Sequence, residues 1–186
     1  MARRNALDPH TSDPRDPLEL MGRLLVGSSY RVPVEGSASG DSLKTSDVAG
    51  AIGMMSDRVA ARAAMAVATR AEAPEIARIS HAAYRRVLRA VLHMRPRPIR
   101  MDQPADRWRL RIATYDAMTE MVWPERRRTF RVLAKEARMR VGAYAACHKA
   151  ATSVLQEAVN NARLEFGYRV FAHGDHDLDW ERPHTL

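Results

Sequence analysis

The sequence predicts an all-α domain of four to six helices, and three observations carry that prediction. Apolar residues recur at steps of three and four through most of 45–171, the period of one buried helical face. Alternating apolar and polar residues, or β-branched runs, would mark strands, and neither occurs. Pro74, Pro104 and Pro124 stand at the heads of periodic stretches, where a first helical turn has no use for the missing donor.

Taken in order, residues 1–44 form a poorly ordered N-terminal arm. Asp8-Pro9, Asp13-Pro14 and Asp16-Pro17 punctuate its start, and Gly36-Ser37-Ala38-Ser39-Gly40 closes it. Between them Leu18, Leu20, Met21, Leu24 and Leu25 have the spacing of a short amphipathic helix, suited to docking on the core or on a partner. The helical domain, 45–171, opens near Thr45 or Ser46, either of which suits an N-cap. From there Val48, Ile52, Met55, Val59, Ala63 and Val67 form one inward stripe.

The helix headed by Pro74 turns Ile76, Ile79, Ala83, Val87 and Val91 inward and gathers Arg85, Arg86 and Arg89 on a solvated side. Arg95-Pro96-Arg97-Pro98-Ile99-Arg100 is a loop whose guanidiniums suit phosphates or the carbonyls that end the preceding helix. A third helix, from about Pro104 to Val122, is expected to bury Trp108, Ile112, Tyr115, Met118 and Val122 and to carry Arg107, Arg109 and Arg111 outside. The last helix runs from Gly142 to about Phe166. Its small-residue stripe, Tyr144, Cys147, Ala151, Val154, Ala158 and Ala162, suits a close helix neighbour or a second copy of the chain, a homo-oligomer. Residues 172–186 are an acidic tail.

The stretch 126–152, RRRTFRVLAKEARMRVGAYAACHKAAT, reads as a helix, a tight turn and a longer second helix. With Leu133 as the fourth position of a twenty-residue helix-turn-helix, Leu133, Ala134, Ala137, Met139, Tyr144 and Cys147 fall on its apolar positions. Arg140, Val141, Gly142, Ala145, Ala146 and Lys149 then face outward. On these residues the stretch resembles the helix-turn-helix DNA-binding proteins. It departs from them at Arg138, where a glycine commonly sits, and in an outward face poor in long polar side chains. The resemblance implies double-stranded DNA as partner. Arg126, Arg127, Arg128 and Arg131 would hold phosphates; Arg138, Arg140, His148 and Lys149 would meet base edges or nearby phosphates, and Ala145 a thymine methyl.

Charge supports that expectation. The chain of 186 residues has a net charge of +8, with an even balance over 1–44 and −3 over 172–186, which leaves +11 on 45–171. Such a field attracts polyanions, and arginine supplies nearly all of it. The single cysteine, Cys147, excludes an internal disulfide and a multi-cysteine zinc site. No stretch approaches the roughly 18 apolar residues of a membrane span, and the N-terminus lacks the apolar core of a signal peptide. The expected location is therefore cytoplasmic.

Catalytic patterns are missing. There is no Walker sequence, phosphate-cradling glycine loop or nucleophile elbow. Cys147 and His148, adjacent on one helix, point about 100° apart, which argues against a nucleophile–base pair. His173, Asp175, His176, Asp177 and Asp179 read as a solvated terminal run rather than a metal site. The expectation is a protein that is not an enzyme and uses no cofactor or metal.

A neutral proline-rich arm, an arginine-rich helical domain and a late helix-turn-helix together resemble small phage-encoded regulators, including the late-gene antitermination proteins. That resemblance rests on arrangement and on LAKEARMRVGAYAACHKAA. It implies a transcription regulator that binds a promoter-proximal site and then acts with RNA polymerase. Some members carry zinc-binding cysteines, which this chain lacks. Two other readings stand beside it. One is a DNA-packaging subunit similar to the phage small terminase, although there the motif lies early in the chain. The other is a helical adaptor whose arginines face acidic proteins.

Overall fold

The computed structural model describes residues 16–26, 45–100 and 102–171, and among them every regular element is helical. The elements are α1 (Pro17–Val26), α2 (Thr45–Gly53), α3 (Arg58–Thr69), α4 (Ala73–His93), α5 (Pro104–Val122), a 3-10 turn (Pro124–Arg126), α6 (Phe130–Glu136) and α7 (Val141–Phe171). The Asp8-Pro9 and Asp13-Pro14 pairs, the Gly/Ser run 36–40 and the acidic tail lie outside the described residues. No described helix is long and apolar enough to cross a membrane.

α7 organises the rest. Its 31 residues span about 46 Å, and it packs against each of the other six helices. Two adjoining cores form along it. The larger joins α3, α4, α5, α6 and the first half of α7 around Ile76, Ile79, Val87, Leu110, Met118, Tyr144 and Leu155. The smaller joins α1, α2, α3 and the second half of α7 around Met21, Val48, Ala64, Ala162 and Phe166. Small residues on α3 and α7 let helix axes approach, and the bulky side chains fill the space between layers.

The expected start at Pro74 and the five-residue inward stripe of α4 are observed, and Ile76, Ile79, Ala83, Val87 and Val91 are all buried. Arg95 donates to the carbonyls of Leu92 and Met94 at 3.1 and 3.0 Å, so this guanidinium closes the end of α4. Arg86 leaves the solvated group to donate to Asp57 through both terminal nitrogens, Nη1 and Nη2, at 2.5 and 2.9 Å.

Two expectations need correction, and one within the arm is met. The helix expected from Thr45 through Val67 is two helices, because Asp57 starts a new one. Its carboxylate accepts from the amides of Val59 and Ala60 at 3.0 and 3.2 Å, and α3 then turns Ala60, Ala61, Ala63, Ala64 and Ala66 inward. The short amphipathic helix expected within the arm is observed as α1 and docks on the core, with Leu20 and Met21 buried, and Gly22 lies so close to α3 that a Cβ there would sit 2.7 Å from the carbonyl oxygen of Ala68. α5 buries Met118 and Val122 as expected, but its inward face is wider than the expected stripe and leaves out Trp108: that residue is 54% exposed, Ile112 and Tyr115 are half-buried, and Leu110, Ala113, Thr114 and Ala117 are buried. α5 packs against α4 on one side and α7 on the other, and these smaller side chains admit both neighbours where an indole would hold one away.

Candidate nucleic-acid interface

The segment with the greatest density of arginine begins at the 3-10 turn and ends in the first turns of α7. Leu133, Ala134 and Ala137 are buried where α6 meets α7, Tyr144 and Cys147 are buried on the α7 side, and Met139 is half-buried. α6 ends in a Schellman closure: Met139 N–H donates to the Ala134 carbonyl at 2.8 Å and Arg138 N–H to the Lys135 carbonyl at 3.1 Å. The closure places Arg138 in the left-handed region, at φ 52. That is the conformation for which glycine is the common residue, and the arginine occupies it nonetheless. α7 starts one residue earlier than expected, at Val141, and the Arg140 carbonyl accepts its first helical bond, from Tyr144, at 2.9 Å.

The arginines divide by partner. Arg127 pairs with Glu120 of α5 at 2.9 Å. Arg128 pairs with Glu136 of α6 at 2.7 Å and lies 3.9 Å from Asp116. Arg126 lies over the Trp123 ring, 4.4 Å from its centroid. Arg131, Arg138, Arg140 and Lys149 are exposed, and their side chains have no ion-pair or hydrogen-bond partner among the described residues. Their charge is available to an external anion, whereas Arg127 and Arg128 must first leave carboxylates.

His148, expected to meet base edges or phosphates, is buried instead. It is 4% exposed and lies against Phe130 and Tyr144, with ring centroids 5.1 and 5.9 Å away. Four residues past Tyr144, it continues the buried stripe rather than the outward face, so it offers nothing to DNA. Its Nε2 makes no hydrogen bond, although Glu120 Oε2 is 3.4 Å away. Burial holds the imidazole below its ordinary value; Glu120 and Asp116 pull it back in part.

Beside it the Tyr144 hydroxyl donates to Asp116 at 2.6 Å. Burial pushes the Asp116 carboxyl above the usual range against the opposing pull of Tyr144 and Arg128, and burial with the same hydrogen bond raises the phenol. Cys147 is fully buried, its thiol pushed up to about 12 by burial, so it is not a poised nucleophile. Among the described residues, no three His, Cys, Asp or Glu side chains are grouped to hold a metal ion.

The outward face of α7 carries a feature absent from the sequence reading. Gly142, Ala145, Ala146 and Lys149 form one wall of an open recess of about 730 Å³ whose other wall includes Ala90 of α4 and Met94 just past its end. Ala145 is therefore half-buried, and Val141, 46% exposed, is the apolar side chain that projects from the first turn. Spacing alone did not disclose this recess, because it depends on where the end of α4 comes to rest. No protein family, curated protein or solved structure was found to match the chain.

Proposed function

We propose that the chain is a DNA-binding transcription regulator, a helix-turn-helix protein that engages duplex DNA through α6 and the first turns of α7. The observation that carries this reading is the joint itself. A short helix and a long one are joined through a Schellman turn, and Arg131, Arg138, Arg140 and Lys149 lie around that turn with no carboxylate partner among the described residues.

In this reading Arg131 and Arg138 hold phosphates. Arg140 and Lys149 reach base edges, and Val141 and Ala145 meet thymine methyls. Arg127 and Arg128 primarily tie the joint to α5 and α6. Most affinity then comes from phosphate contacts and falls steeply with salt. Antitermination with RNA polymerase, in the cytoplasm and without catalysis, is the finer form of the proposal and rests on the resemblance alone. The apolar recess between α4 and α7 favours a second reading, a helical adaptor that receives a protein segment there.

Selection of random-sequence duplexes by the purified protein at two salt concentrations separates them. An enriched motif that survives the higher salt supports the regulator, and Arg140→Ala with Lys149→Ala should then weaken specific binding by about 1–3 kcal/mol per base contact. Absence of binding at both salts overturns the regulator and leaves the adaptor.

A further inference from the structure

A second cluster of guanidiniums lies at the corner between α3 and α4, where the helix-turn-helix stretch begins at Arg126. Trp123 ends α5, and its indole N–H donates to the Ala71 carbonyl at 3.0 Å, which ties the ring to that corner. Arg126 lies over the ring at 4.4 Å from the centroid and Arg70, from the end of α3, at 5.3 Å. Two like charges thus converge on one indole. The carboxylate beside them is Glu125, 2.9 Å from Arg70, in a pair more than half exposed on both sides and therefore weakly held. Arg126 has no carboxylate partner among the described residues.

The backbone points the same way. α3 closes as α6 does, with Ala71 N–H donating to the Ala66 carbonyl at 2.9 Å and Arg70 at φ 52. Glycine would close that turn with less strain, yet it would remove one of the two guanidiniums from the ring. A guanidinium held over a ring by its charge keeps N–H donors for other partners, in the fork that fits a phosphate, although Arg70 gives one of its own to Glu125.

We propose that Arg70 and Arg126, oriented by Trp123, form a second phosphodiester clamp that grips the duplex backbone beyond the segment bound at the α6–α7 joint. This rests on the DNA-binding reading. The clamp carries no sequence information. It adds two ionic contacts and sets how the duplex lies across the molecule.

The test uses the full chain in a W108F/W180F background, where Trp123 is the remaining tryptophan. Duplex DNA should change Trp123 emission saturably, because the guanidiniums shift toward phosphates. Arg70→Gly suits its backbone conformation, and Arg126→Ala lies on an exposed turn, so both variants should fold; melting curves check that. Each should lower the slope of log Kd against log salt by about 0.9, and the double variant by about 1.8. Tight, salt-dependent duplex binding with unchanged emission, or with the parent slope in the double variant, overturns the clamp and leaves the α6–α7 reading intact. An emission change with an unaltered slope also overturns it, since the contact would not be ionic. Failure of the parent to bind duplex overturns both.

Discussion

Replacing Arg138 by glycine should move stability and DNA binding in opposite directions. Arg138 sits at φ 52 in the closure of α6, its amide bonded to the Lys135 carbonyl, while its side chain has no partner among the described residues. An L-residue in the left-handed region costs roughly 1–2 kcal/mol. Glycine removes that cost but brings a more flexible unfolded chain, worth about 0.4–1 kcal/mol against folding. The difference leaves Arg138→Gly more stable by about 0.5–1 kcal/mol, a rise in Tm of roughly 1–4 °C for a chain of this size. Arg138→Ala keeps the Cβ and the strain, so it should melt with the parent. Both variants lose the same guanidinium and should lower the salt slope of DNA binding equally, by about 0.9. Thermal melts of the three proteins, followed by circular dichroism, give the comparison. A glycine variant no more stable than the alanine variant refutes the claim that backbone strain is held at this turn. Unequal salt slopes for the two refute the claim that only the side chain meets DNA.

His148 makes stability depend on pH with a definite sign. Its folded value lies below the unfolded one, so the unfolded chain binds the extra proton, and stability falls as pH drops through about 6.5 toward the folded value. The slope is at most about 1.4 kcal/mol per pH unit from this group. Urea unfolding from pH 7.5 to 5 should show a loss in the parent that His148→Leu reduces; parallel profiles would rule His148 out as the source. At the other end of the molecule, Gly22→Ala should destabilise α1 docking by about 1–3 kcal/mol, because the new Cβ meets a backbone carbonyl that cannot give way cheaply. Gly50→Ala, where an added Cβ meets nothing within 4 Å, should be neutral or stabilising. Chemical unfolding of both variants decides, and a Gly22→Ala protein as stable as the parent removes the close approach of α1 to α3.

The legible elements were those with one buried side. α4 shows its stripe plainly because only one face meets the core, and Pro74 marks its first turn. The α6–α7 joint was legible for a related reason: a tight turn demands small residues at fixed offsets, and Ala134 and Ala137 supply them. α5 and α7 were harder. Each is surrounded on several sides, apolar residues spread around it, and no single periodic face dominates. Hence the helical period points Trp108 inward although it is exposed, and Leu155, absent from the expected α7 stripe, is fully buried. Arg70 carried no signal in the sequence, since its approach to Trp123 spans 53 positions and depends on how α3 meets the end of α5.

Local chemistry therefore determined that this chain is helical, where several helices start, and that arginine crowds one turn late in the chain, because propensity, capping and period act over a few residues. Tertiary packing decided which arginines remain unpaired, that His148 faces Phe130 and Tyr144 rather than solvent, and that the outward face of α7 borders a recess. Those outcomes depend on which distant surface arrives at a given helix face, and burial and charge pairing are set only when it does.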